Sequence, residues 1–154
     1  MKKLSQFLCG FILLVFSLTG CAVEPQEIPF GQANCTHCSM TVADNRYAAE
    51  LVNDKGKAFF FDSAECLMAY VHEQPEQGEI AAYLMVSDFT KPGELTDARS
   101  ASFLQTEALP SPMGFYMNAV ADKVAAIKMQ QEYGGRLLTW KEAVTAVENN
   151  ERFE

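Results

Sequence analysis

The sequence has 154 residues, of which 49% are hydrophobic, and 20 acidic against 12 basic residues give it a formal net charge of −8. An acidic chain repels the phosphates of nucleic acids and of anionic lipid headgroups, which excludes both as electrostatic partners. The length is enough for one domain, or for two small lobes that share a core.

Residues 1–20 have the features of a lipoprotein signal peptide. Lys2 and Lys3 precede an apolar run of about a dozen residues, too short and wrongly flanked for an ordinary transmembrane helix. The run ends in Leu18-Thr19-Gly20-Cys21, which resembles the lipobox of bacterial lipoproteins, where the cysteine is lipid-modified and becomes the first mature residue. We predict that a lipid on Cys21 holds the mature chain to a membrane, expected to be the outer membrane, facing the periplasm. The alternative is an ordinary cleaved signal with an incidental cysteine.

The mature chain is more acidic than the precursor and contains few cysteines. Removing residues 1–20 takes away Lys2 and Lys3 but no acid, so the net charge changes from −8 to −10. Cys35, Cys38 and Cys66 remain besides the anchor. An odd, small number of cysteines in an oxidising compartment does not suit a disulfide framework. We therefore consider these thiols as candidates for metal or redox chemistry.

Residues 21–33 are predicted to be a tether, and residues 34–90 a first ββαβ unit. Two strand-like runs flank the hairpin signal at 53–56, and a third strand is predicted at 80–86. Between them, Asp62 and Glu65 have the spacing of a capping box and predict a helix that begins after Asp62 and runs through His72. Residues 75–79 are predicted to form a polar turn.

Residues 91–154 repeat this order in a looser form. Strands are predicted at 98–104 and 115–120, followed by a helix capped by Asp122 that stops before Gly134, and by a short strand at Leu137 and Leu138. A second capping box, Thr139 with Glu142, opens a C-terminal helix. The predicted fold class is therefore α+β: two ββαβ units packed together, with mostly antiparallel sheets and an extra C-terminal helix.

The segment 34–42 carries four candidate metal ligands: Cys35, His37, Cys38 and Met40. A Cys-x-x-Cys pair alone suits zinc, copper or disulfide chemistry, whereas the added thioether of Met40 favours Cu(I). In an extended segment, residues i and i+2 face the same side, which predicts that Cys38 and Met40 converge on one ion. Cys35 is either a third ligand or a disulfide partner of Cys38, and His37 is either a ligand or a solvent-facing side chain.

Two further candidates lie outside this segment. Met113 follows Pro112 and precedes Gly114 on a constrained turn, where a methionine has less reason to fill a core than it has in a helix. Cys66, in the first turn of the first helix, is either a thiolate ligand favoured by the helix N-terminus or a small buried residue. The aromatic run 59–61 is expected to support the metal loop.

The sequence offers no hydrolytic or nucleophilic site. It contains two histidines, His37 and His72, and neither a Gly-rich phosphate loop nor a Gly-x-Ser-x-Gly elbow. We therefore expect that the protein is not an enzyme.

The lipobox, the Cys-x-x-Cys-x-Met motif, the run Phe61-Asp62-x-x-x-Cys66 and the Pro-Met-Gly turn, in this order and length, resemble the NosL family of lipoprotein copper chaperones. The resemblance covers nearly the whole mature chain. It implies a pair of ββαβ units, Cu(I) as cargo, and ligation by Cys38, Met40 and Met113, with His37 as the nearest candidate for a histidine ligand. It also implies delivery for nitrous oxide reductase maturation, through an ABC transporter complex of the NosDFY type.

Two other functions stay open at this point. Residues 35–66 are also similar to the short metal-binding modules of the YHS/TRASH type, which would make the protein a zinc or generic metal module. The pair Cys35 and Cys38 would equally allow a thiol–disulfide protein, although such a chain is expected to follow its cysteine pair directly with a helix.

Overall fold

The computed structural model describes residues 22–152, so the predicted signal peptide and the lipidation site Cys21 lie outside the described residues. The helices and strands in chain order are β1 (Ala49–Asn53), β2 (Ala58–Phe61), α1 (Ala64–Glu73), α2 (Pro75–Glu79), β3 (Ala81–Ser87), β4 (Leu95–Asp97), β5 (Ser102–Gln105), β6 (Met117–Val120), α3 (Lys123–Tyr133), β7 (Arg136–Leu138) and α4 (Trp140–Glu148). Within residues 22–152, no helix combines the length and the apolar character that crossing a membrane requires.

The strands form two antiparallel sheets with the same arrangement of the first three strands of each unit. The first sheet has the order β2-β1-β3-β4, and the second has the order β6-β5-β7. In both sheets the first strand of a ββαβ unit lies between its second and third strands. The predicted α+β class, with two ββαβ units and a C-terminal helix, is therefore confirmed. Strand β4 falls within the range 91–154 yet pairs with β3, so it extends the sheet of the first unit.

One apolar core joins the two units. Leu51, Phe61 and Leu67 of the first unit belong to the same buried cluster as Phe103 and Met117 of the second. Helix α1 packs against α4 and also reaches β6. Removing this apolar surface from water is the main driving force for docking the units. The docked arrangement places α1 beside the second sheet.

The caps of α3 and α4 are those that the sequence predicts. The side chain of Asp122 accepts a hydrogen bond from the amide of Ala125. Thr139 and Glu142 form the reciprocal capping box at the start of α4. Each cap satisfies an amide that has no partner within the first turn of its helix.

The predicted cap of α1 is wrong by one residue. Ser63, not Asp62, is the N-cap, and its Oγ accepts a hydrogen bond of 3.3 Å from the amide of Cys66. Asp62 and Glu65 are buried, with 4% and 1% of their surface exposed. Both carboxylates are therefore turned into the protein, where they bond to interior groups and do not cap the helix.

Two other predicted elements differ in the structure. Residues 75–79 form the short helix α2 instead of a turn, with Pro75 in its first turn, where a missing N–H costs nothing. The strand predicted at 98–104 is shortened to β5, because the side chain of Asp97 accepts a hydrogen bond from the amide of Arg99 and turns the chain at 98–100.

Candidate metal centre

The Cys-x-x-Cys segment folds into a small closed loop. An isolated bridge pairs Asn34 with Thr41, and the amide of Cys35 donates to the carbonyl of Met40 at 2.7 Å. Ser39 has a φ of 65°, in the left-handed region, and its amide donates to the carbonyl of Cys35 at 3.0 Å. The segment from Cys35 to Met40 is therefore a turn and not the extended strand assumed when Cys38 and Met40 are expected to share a face.

Strand β2 holds this loop beside the start of α1. The amide of Thr36 donates to the carbonyl of Phe60 at 2.8 Å, which ties the loop to the end of the strand. The fully buried ring of Phe61 packs 5.3 Å from the ring of Tyr70 on α1. The aromatic run thus supports the loop, and it delivers the chain directly into Asp62 and helix α1.

Three thiols and one carboxylate converge where the loop meets the helix. One ligand atom from each of Cys35, Cys38, Asp62 and Cys66 lies within 4.8 Å of the others. The thiol of Cys38 donates to Oδ1 of Asp62 at 3.6 Å, and the amide of Cys38 donates to Sγ of Cys35 at 3.5 Å. All three cysteines are free thiols. We call these four residues the cysteine cluster.

The thiols of the cluster differ in acidity. Interaction with the thiol of Cys66 lowers the pKa of Cys35 from 9.0 to about 6, against the opposing effect of burial. The pKa of Cys66 is raised, first by the same interaction with Cys35 and then by burial. Burial is also the main cause that raises the pKa of Cys38. Thiols bind a metal ion as thiolates, so an ion that binds to Cys38 and Cys66 would displace the protons that their raised pKa values retain.

Exposure also differs along the cluster. Cys35 and Cys66 are buried, whereas Cys38 is half-buried and Met40, on the same loop, is 52% exposed. Nδ1 of His37 lies 3.5 Å from Oε2 of Glu73 on α1, where the imidazole pairs with a carboxylate at the surface. Ligation by Cys38, Met40 and His37 stays a prediction, with Cys38 forming the open side of the cluster.

The turn that carries Met113 lies near the N-terminus of α1. The hydroxyl of Ser111, two residues before Met113, donates to the carboxylate of Glu65, the neighbour of Cys66 in the chain. Met113 is half-buried against the common core, and its carbonyl accepts a hydrogen bond of 2.6 Å from the guanidinium of Arg152. The fold thus connects the Met113 turn with the helix of the cluster, and Met113 as a ligand stays a prediction.

Asp62 is the member of the cluster that the sequence reading misses. Asp62 lies just before the N-cap Ser63, and Cys66 lies in the first turn of the helix, so the two side chains can meet at the start of the helix. The run from Asp62 to Cys66 is visible in the sequence, but Asp followed by Glu three residues later is equally typical of a helix cap.

The donor set fits soft and borderline metal ions. Thiolates bind Cu(I) and Zn(II) strongly, and a carboxylate oxygen is a normal zinc ligand but a poor one for Cu(I). Two of the cysteines come from the loop and one from the helix, so an ion bound here would link residues 35–38 to residues 62–66. The cluster is the candidate functional site of the chain.

Comparisons of the sequence and of the fold relate the chain to known proteins. The chain is 30% identical over 146 residues to the copper-binding lipoprotein NosL of Stutzerimonas stutzeri, and the match covers 85% of this chain and 76% of that protein. The crystal structure of the copper chaperone NosL from Shewanella denitrificans superposes with a TM-score of 0.67 at 22% identity, over 79% of this chain and 96% of the other, and shows the same fold. The sequence profile of the NosL family matches residues 28–147. The chain therefore belongs to the NosL family.

Proposed function

We propose that this protein is a Cu(I) carrier, anchored through Cys21 to the outer membrane and facing the periplasm. The observation that carries the proposal is the cysteine cluster, in which three thiols and a carboxylate meet within 4.8 Å. A relative 30% identical to this chain is named a copper-binding lipoprotein, which supports copper as the cargo. Thiolate ligands stabilise the Cu(I) state, because a soft ion prefers soft donors.

The exposure of the site suits a carrier better than a permanent metal store. Cys38 is half-buried, and Met40 on the same loop is largely exposed. A thioether needs no deprotonation, so Met40 would be available to an arriving or departing ion at any physiological pH. An incoming donor from a partner would reach the ion from this side and exchange ligands without releasing it to solvent. This role requires ligand exchange and no catalysis.

The destination of the copper belongs to the same proposal. We infer delivery for the assembly of nitrous oxide reductase through an ABC transporter complex of the NosDFY type, as the family membership suggests. A lipid on Cys21 would keep the carrier at the membrane surface. The chain is held to the first unit soon after the anchor, because the amide of Gln26 donates to Glu50 and Ile28 is buried in the common core.

A competition titration with a Cu(I) indicator tests the cargo. We expect the mature protein to withdraw about one equivalent of Cu(I), and Met40→Leu or Met113→Leu to lower the affinity about tenfold each, since each change removes one sulfur donor while keeping an apolar side chain. Met85→Leu, at a half-buried methionine of β3 outside the cluster, is the matched control. Unchanged affinity in both of the first two variants would argue against a site that includes methionine.

A zinc module is the second candidate, and one observation favours it. The cluster includes the hard oxygen of Asp62, and three thiolates with one carboxylate form a donor set that suits tetrahedral Zn(II). If the purified protein retains Zn(II) in preference to Cu(I), and if both methionines are dispensable, zinc is the cargo.

Thiol–disulfide exchange has less structural support. Oxidoreductases of this kind place the reactive thiol at a helix N-terminus, which lowers its pKa. Here the pair Cys35 and Cys38 leads into Ser39 in the left-handed region and the bridge at Thr41. The thiol with the lowered pKa, Cys35, is buried, and burial raises the pKa of the more accessible Cys38.

A further inference from the structure

A single buried carboxylate bonds to both ends of the segment that carries Met113. Oε1 of Glu65, on α1, accepts a hydrogen bond from the hydroxyl of Ser111 and a longer one of 3.4 Å from the amide of Met117. The same hydroxyl accepts a hydrogen bond of 2.8 Å from the amide of Tyr116. Glu65 and Ser111 thus close the segment 111–117 into a loop fixed to the helix.

The backbone of this loop includes left-handed residues, which contacts from other segments must stabilise. Gly114 and Tyr116 have φ values of 71° and 61°, and a left-handed conformation is unfavourable for a side chain such as that of Tyr116. Arg152 holds the outer side of the loop by donating to the carbonyl of Met113 and by stacking its guanidinium 3.9 Å from the centre of the Phe115 ring. Arg152 follows α4 near the C-terminus, whereas the hydrogen bonds from Ser111 and Met117 to α1 end on Glu65.

Glu65 provides the connection to the cysteine cluster. It is the neighbour of Cys66 in the first turn of α1, and Asp62 lies just before the N-cap Ser63. A carboxylate that is 1% exposed is costly to bury unless its hydrogen bonds repay the loss of water. Besides Ser63 at the start of its own helix, its hydrogen-bond partners are Ser111 and Met117, which both come from the second unit.

We propose that Glu65 is a positioning residue that sets the Met113 turn against the cysteine cluster, so that sulfur donors from the two units reach one Cu(I) ion. The proposal rests on the proposed function, because it takes Cu(I) as the cargo and Met113 as a ligand. Glu65 acts on the Cu(I) ion through the position of Met113 and does not contact the ion.

A double-mutant cycle on Cu(I) affinity tests this route. Glu65→Ala and Met113→Leu are each expected to lower the affinity about tenfold, within the range found when the partner of a metal ligand is lost. The double variant is expected to lose no more than either single variant, because a displaced turn and a missing thioether remove the same bond. Glu65→Gln is expected to restore nearly full affinity, since its amide oxygen can accept the same two hydrogen bonds.

Controls separate this inference from general destabilisation. Glu50→Ala removes another buried carboxylate, which accepts a hydrogen bond from the amide of Gln26 in the predicted tether, and is expected to leave Cu(I) affinity unchanged. If Glu65→Ala fails to fold, Ser111→Ala takes its place in the cycle, because it removes only the hydroxyl that joins Glu65 to Tyr116.

The outcomes separate a failure of the proposed copper-carrier function from a failure of the positioning role of Glu65. A wild-type protein that does not bind Cu(I) overturns the proposed function itself. Wild-type binding with additive losses from Glu65→Ala and Met113→Leu, or with no loss from Glu65→Ala, overturns the positioning role alone. The positioning role is supported if the double variant loses no more Cu(I) affinity than either single variant and if Glu65→Gln binds Cu(I) nearly as the wild type does.

Discussion

Replacing Cys66 with serine is expected to lower the Cu(I) affinity at least about a hundredfold, because a charged thiolate is a stronger donor to a soft ion than the neutral thioethers of Met40 and Met113. Serine keeps the size of the side chain and a hydroxyl that can still donate to Sγ of Cys35. It removes the buried sulfur, and a neutral hydroxyl is a poor ligand for a soft ion. Competition titration against a Cu(I) indicator measures the change.

The control for this substitution is Met68→Leu. Met68 is fully buried on the same helix, two residues after Cys66, and leucine nearly conserves its volume. We expect this variant to bind Cu(I) as the wild type does. An affinity of Cys66→Ser within about threefold of the wild type, or under about 0.7 kcal/mol, would make Cys66 a packing residue outside the donor set.

Replacing Gly135 with alanine is expected to destabilise the protein by about 3 to 4 kcal/mol, from a forced left-handed conformation together with a steric clash. Gly135 has a φ of 86°, and an added Cβ would overlap the carbonyl oxygen of Gln105 and lie 2.8 Å from Cβ of Thr106. Gln105 is the last residue of β5 and pairs with Arg136 of β7, so the clash falls on the pairing of these two strands. Urea denaturation followed by circular dichroism measures the free energy of unfolding.

Gly134→Ala is the matched control at the adjacent position. Gly134 has a φ of 71°, but an added Cβ would meet no atom within 4 Å. Only the backbone cost remains, and we expect a loss of about 1 to 2 kcal/mol. Equal losses for the two variants would show that β5 and β7 can separate at this point without a measurable cost.

The features that the sequence predicts correctly are those set by neighbours in the chain. Thr139 and Glu142 bond to each other's backbone within one helical turn, so their spacing alone predicts the start of α4. Asp122 caps α3 for the same reason. The alternation of helix and strand signals then predicts the two ββαβ units, because each apolar face needs a partner layer.

The features that the sequence reading misses depend on contacts between distant segments. Asp62 and Glu65 have the spacing of a cap, yet Asp62 is buried beside the loop cysteines and Glu65 against Ser111 of the second unit, which leaves the cap to Ser63. Cys66 joins Cys35 because the amide of Thr36 bonds to the carbonyl of Phe60, a contact across 24 positions. The left-handed backbone of Ser39, a conformation that few residues other than glycine adopt, carries no clear local signal.

X-ray absorption at the copper edge, on mature protein loaded with one equivalent of Cu(I), tests the central claim that the cysteine cluster holds the copper. We predict that sulfur neighbours outnumber nitrogen and oxygen neighbours, and that one sulfur disappears from the spectrum of Cys66→Ser. A spectrum dominated by nitrogen or oxygen, or one that Cys66→Ser leaves unchanged, would contradict the claim.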